Sequence, residues 1–79
     1  MTSSVLQLLL IHTPFRKKLS EELSINSEEI DDSLTEYDET VKEQDSWFSL
    51  IVICKNGASH KISARRLPQK SHWEFKRYS

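Results

Sequence analysis

The chain contains a single glycine, and it stands in the step Asn56-Gly57 between two β-rich runs. Asn-Gly flanked by such runs is the strongest short-range hairpin signal, because both residue types tolerate the left-handed backbone of a tight turn. Before Asp45 apolar residues recur at spacings of three and four. From Trp47 to Cys54 the run is apolar and β-rich, with a period of two. Helix first and sheet second is the expectation: an α+β fold in which an N-terminal helical hairpin packs on a C-terminal three-stranded antiparallel sheet. A length of 79 residues fits one small domain, taken as residues 1–79.

A two-residue turn at Asn56-Gly57 sets Lys55 opposite Ala58. Ile53 then faces His60, Ile51 faces Ile62, Ser49 faces Ala64 and Trp47 faces Arg66, which makes one core face. On the other side Cys54 faces Ser59, Val52 faces Lys61, Leu50 faces Ser63 and Phe48 faces Arg65, a mixed surface. The apolar side of Phe48, Leu50 and Val52 then needs a cover, and a second copy of the chain is one candidate, making a homodimer. Pro68 interrupts, and His72 to Tyr78 resumes alternation as a third strand with Trp73, Phe75 and Arg77 on one side.

In the first half, Ser3 or Ser4 can cap a helix through the Leu-rich run, although residues 4–12 also fit a buried strand. Thr13-Pro14 marks a boundary, with Thr13 as N-cap of a second helix reaching about Leu23. Leu8, Ile11, Phe15, Leu19 and Leu23 form one apolar stripe across that break, with Lys17–Glu21 and Lys18–Glu22 as outer pairs. Asn26 followed by Glu29, flanked by Ile25 and Ile30, reads as a capping box with a hydrophobic staple. Ile30, Leu34, Tyr37 and Val41 continue it as an acidic helix with a narrow apolar stripe.

Charge is split along the chain. Residues 28–45 hold nine carboxylates against Lys42, a formal −8, and residues 55–78 hold seven cations against Glu74, a formal +6. A single-signed field steers an oppositely charged partner. The preferred expectation is therefore a non-enzymatic protein-binding module, an adaptor or an inhibitor. Its contacts are expected on Asp31, Asp32, Glu36, Asp38 and Glu39 and on a basic surface around Lys61 and Arg65. The alternative is nucleic-acid binding through Lys61, Arg65, Lys76 and Arg77 with Phe48 and the nearby rings Trp73, Phe75 and Tyr78. Against it stand the lack of an RNP-type motif and a pI near 6.3.

Chemistry is weakly signalled. Cys54 is the only cysteine, which excludes an internal disulfide and a multi-cysteine metal site. In the two-residue register Cys54 and His60 point to opposite faces, so they make no nucleophile–base pair. His12, His60 and His72 lack ligand spacing, and phosphate-binding loops need more glycines than one. Carboxylate pairs such as Asp38 with Glu43 arise by chance in an acidic stretch. No cofactor is expected. Val5–Ile11 is far short of the roughly 20 residues a membrane span needs, so core packing in a cytoplasmic protein is expected.

The Tyr37-Asp38-Glu39 step, followed by Trp47 and by the Asn56-Gly57 hairpin ending in Lys61-Ile62, resembles the C-terminal half of the phage uracil-DNA glycosylase inhibitors. The resemblance covers about a third of the chain. Those proteins are acidic throughout and carry an additional hairpin. It implies a further alternative: an inhibitor whose carboxylates imitate a DNA backbone and block a DNA-binding enzyme.

Overall fold

A computed structural model describes residues 4–42, 46–67 and 72–78, with side chains from Val5 onward. The alternative cap at Ser3, the predicted end of the acidic helix including Glu43 and Asp45, and the break at Pro68 lie outside the described residues. The fold is α+β: two helices, α1 (Ser4–Ile11) and α2 (Thr13–Leu23), and a sheet of four strands. The strands are β1 (Glu36–Tyr37), β2 (Phe48–Ile53), β3 (Ser59–Leu67) and β4 (His72–Arg77), adjacent in chain order and antiparallel throughout.

The Leu-rich run is helical. Leucine keeps its rotamer freedom in a helix better than β-branched residues do, and Pro14 suits the first turn of the next one. Between them His12 is extended at φ −74° and ψ 109°, so the cap position of α2 falls one residue before the expected Thr13. That extended residue resets the helical phase. Phe15, Leu19 and Leu23 are buried as expected, but α1 buries Leu6 and Leu10 and leaves Leu8 and Ile11 of the predicted stripe exposed. Lys17, Lys18, Glu21 and Glu22 are exposed. Helix α2 ends at Ser24 in the left-handed conformation (φ 56°), with the Ile25 N–H donating to the Ser20 carbonyl at 3.0 Å.

The predicted acidic helix is overturned. Asn26 does cap, its Oδ1 accepting from the Glu28 N–H at 3.0 Å, but only a single 3-10 turn, Ser27–Glu29, follows. Beyond it the chain runs along the outer edge of β2. Asp31 N–H donates to the Ile53 carbonyl and Asp38 N–H to the Ser49 carbonyl, and Tyr37 pairs with Leu50. Two local devices compete with helix here. Asp31 Oδ1 accepts from the Ser33 N–H and hydroxyl, and Asp38 Oδ1 accepts from the Thr40 N–H and hydroxyl. The intended stripe is scattered: Ile30 is buried whereas Leu34 is 56% exposed. The N-terminal pair is therefore α1 with α2, and β1 makes the sheet four-stranded.

The hairpin bends where expected, but its register differs by one residue. Gly57 N–H donates to the Cys54 carbonyl at 2.9 Å, Cys54 N–H to the Ala58 carbonyl at 2.8 Å, and Gly57 takes φ 92°. Lys55, Asn56 and Gly57 thus form a three-residue loop with glycine at its left-handed position. A one-residue shift turns every side chain to the other partner. Phe48 faces Ala64, Leu50 faces Ile62 and Val52 faces His60, while Ser49 faces Ser63 and Ile51 faces Lys61. Leu50 and Val52, expected to need an outside cover, are fully buried with the chain's own helical residues. Cys54 and His60 now project toward the same side, which corrects their expected separation. Strand β4 matches expectation: Trp73, Phe75 and Arg77 share the parity that faces Arg66, Ala64 and Ile62.

The core lies between the helices and the sheet face of Phe48, Leu50, Val52, Ile62, Ala64, Trp73 and Phe75. Phe15 is its hub, with ring centroids 4.7 Å from Trp73, 5.7 Å from Phe75 and 6.4 Å from Phe48. Arg16 ties the helices to the segment after them. Its guanidinium donates to the carbonyls of Leu10 (3.1 Å), Ser27 (2.8 and 3.1 Å) and Ile30 (3.1 Å) and to Asp32 Oδ1 (2.5 Å).

Candidate interaction surfaces

Helix α1 is apolar on both sides. Leu6 and Leu10 are fully buried, whereas Val5, Leu8 and Ile11 are 61%, 65% and 67% exposed. A helix that is apolar all round is ordinarily buried all round. Two depressions flank the exposed side. A groove of about 550 Å³ is lined by Val5, Leu8, Leu9, His12, Pro14, Arg66 and Trp73. A shallower one of about 490 Å³ is lined by Gln7, Leu8, Ile11 and Asp32. Completing the burial of three such aliphatic side chains contributes on the order of 3–6 kcal/mol.

The sheet face away from the helices carries Lys61, Arg65 and Lys76 together, as their shared parity across β3 and β4 requires. Trp47 lies among them, its ring under the Arg65 guanidinium at 4.6 Å and the Lys76 ammonium at 4.4 Å. Sequence reasoning placed Trp47 in the core; the corrected register moves it here. Of the other expected members of the nucleic-acid set only Tyr78 shares this face, its hydroxyl bonded to Asp38, while Trp73 and Phe75 pack against the core. Phe48 packs on the helix side, and Arg77 donates to the Glu22 carbonyl at 3.2 Å. Among the described residues Glu36, Asp38 and Glu74 share the face, matching the three cations in number, and Glu74 pairs directly with Arg65.

The acidic residues do not form one face. Asp32 pairs with Arg16, Asp31 turns back on Ser33 and Leu34, and Asp38 is buried. Only Glu36 and Glu39 of the five are exposed. Asp38 anchors a network over the sheet: it accepts from Thr40 at Oδ1 (2.5 Å) and from the Tyr78 hydroxyl at Oδ2 (2.8 Å), with Ser49 and Ser63 joined nearby at 2.8 Å. The Thr40 hydroxyl first, and the Tyr78 hydroxyl second, hold the Asp38 carboxyl below the usual range. The Ser33 hydroxyl does the same for Asp31. Burial, followed by the Asp38 hydrogen bond and charge, pushes the Tyr78 phenol up to about 12.

Cys54 is buried, and burial, reinforced by the Glu29 charge, raises its thiol above the ordinary value. A raised thiol is the opposite of an activated nucleophile. Among the described residues no group of three or more His, Cys, Asp or Glu is placed to hold a metal ion, and no helix is long and apolar enough to cross a membrane. No protein-family profile, curated protein or solved structure matches the chain.

The sequence signal for α1's outer side was present. Val5, Leu8 and Ile11 are simply more apolar positions than one short helix can bury. It was absorbed into a continuous stripe because the phase reset at His12 has no signature of its own.

Proposed function

We propose that this chain is a non-enzymatic protein-binding module, an adaptor or an inhibitor, that docks its partner on the exposed side of α1. The observation that carries the reading is the pair of opposed apolar sides on one eight-residue helix: Leu6 and Leu10 inside, Val5, Leu8 and Ile11 outside. Grooves in which a partner's side chains seat are the usual form of helix-mediated recognition. Glu36, Glu39 and Lys61 are exposed and supply steering rather than contact energy. The buried, raised thiol of Cys54 supports a role without chemistry of its own. Protein is favoured over nucleic acid because the cations around Trp47 share their face with Glu36, Asp38 and Glu74, which leaves little net field for a phosphate backbone.

The test is affinity capture and sedimentation with the intact chain and with Leu8→Glu/Ile11→Glu, compared with Glu36→Lys/Glu39→Lys. Both pairs are exposed, so native circular dichroism is expected for each. The reading expects stoichiometric capture of a protein that the helix variant loses and the charge variant retains. If the bound species is a second copy, sedimentation shows a concentration-dependent mass that the helix variant abolishes. Retention by Leu8→Glu/Ile11→Glu refutes it, as does tight salt-sensitive binding of an oligonucleotide with no protein bound.

A further inference from the structure

Strand β4 ends at Arg77 opposite Ile62, while β3 runs on to Ser59. The three residues of β3 beyond that last pair leave a notch at the end of the sheet, about 410 Å³ in volume and lined by Ser59, His60, Lys61, Arg77 and Tyr78. Its lining arrives from both sides of the sheet. His60 and Arg77 share one parity, Ser59 and Lys61 the other, and Tyr78 follows Arg77. Among the described residues no carboxylate lines it. Arg77 and Lys61 are both exposed, and the Arg77 guanidinium donates through Nη2 to the Glu22 carbonyl. A guanidinium presents its remaining N–H donors in a planar fork. The acid whose charge Lys61 feels, Asp38, is already engaged by Thr40 and Tyr78.

The geometry points to a binding site for a single phosphate group, free or as a terminal monoester, in the notch between Lys61 and Arg77. Two cations, an imidazole and a hydroxyl exceed what one carboxylate can accept and suit the several acceptor oxygens and double charge of a phosphate. The notch is independent of the exposed side of α1, so the two readings stand or fall separately. A polyanion fits less well, because the sheet face beyond the notch carries as many carboxylates as cations.

The test is a ¹H–¹⁵N NMR titration of the intact chain with inorganic phosphate and with phenyl phosphate, against chloride at matched ionic strength. The expected result is saturable shifts at Ser59, His60, Lys61 and Arg77, absent with chloride, and lost in Lys61→Ala/Arg77→Ala. Arg77→Lys, which keeps the charge but not the fork, weakens binding about tenfold, the loss of one charge-assisted hydrogen bond. A tighter monoester assigns the site to an esterified ligand, and equal affinities assign it to the free ion. Linear, unsaturating shifts, shifts spread over Lys17, Lys18 and Lys55, or unchanged affinity in the variants overturn the proposal. Should the double variant fail to fold, unchanged affinity in both Lys61→Gln and Arg77→Lys overturns it equally.

Discussion

Arg16→Ala is expected to be the most damaging single change of an exposed or half-buried charge in this domain. The side chain is 21% exposed, and its guanidinium satisfies the carbonyls of Leu10 in α1, Ser27 in the 3-10 turn and Ile30 just beyond it. Hydrogen bonds from charged donors contribute about 1.5–3 kcal/mol each, less where water can take over. The ion pair with Asp32, whose side chain is 40% exposed, adds about 0–1 kcal/mol. With partial solvent replacement the expected loss is about 2–4 kcal/mol, which lowers the melting temperature by roughly 10–25 °C in a domain of this size. Urea unfolding followed by circular dichroism measures it, with Asp32→Asn as the comparison. Arg16→Lys, keeping the charge but reaching fewer carbonyls, falls between the two. If Arg16→Ala costs no more than Asp32→Asn, the carbonyl contacts contribute nothing and the reasoning fails.

Further outcomes follow from particular contacts. Asp38 and Asp31 are held below their ordinary values, so the stability they contribute is present above about pH 4 and is lost as pH falls through their folded values; acid titration of the folded fraction reads this. Tyr78 is shifted the other way, to about 12, so its contribution is complete below about pH 10 and is lost as pH rises toward 12; Tyr78→Phe removes that alkaline loss. Gly57→Ala forces a side chain to φ 92° in otherwise open space and costs about 1–2 kcal/mol of backbone strain, read from the urea midpoint. Ser49→Ala strands the buried Ser63 hydroxyl and costs about 1–3 kcal/mol, whereas Ser49→Ala/Ser63→Ala recovers most of that loss in a double-mutant cycle.

The second helix, the bend and the last strand were legible because each rests on local signals: Thr13-Pro14, Asn56-Gly57 and the alternation around Trp73 and Phe75; the pattern of residues 4–12 alone fits a helix or a buried strand. The register was decided elsewhere. Two-residue and three-residue loops both accept Asn-Gly, and only cross-strand packing chooses between them. Pairing Leu50 with Ile62 and Phe48 with Ala64 gathers the apolar side chains on one face, whereas the two-residue register divides them. That comparison was available in the sequence. The fate of residues 30–38 was not. The capping signal at Asn26 is real, but the open edge of β2 and its extension to Cys54 offer Ile30, Thr35 and Tyr37 partners 24, 18 and 13 residues away in the chain, and no local pattern announces them. The expected acidic surface depended on that helix, which is why Asp31, Asp32 and Asp38 are instead held by their own chain.

The reach of Tyr78 to Asp38 has a consequence for how the last strand is held. A one-residue slip of β4 would turn Trp73 and Phe75 away from Phe15, so side-chain parity forbids it. A two-residue slip would preserve parity but carry the phenol roughly 7 Å along the sheet, beyond hydrogen-bonding distance of the carboxylate. Parity and the cross-sheet strap thus leave one alignment, and the strap works as a vernier that distinguishes positions which hydrophobic packing alone would treat as equal.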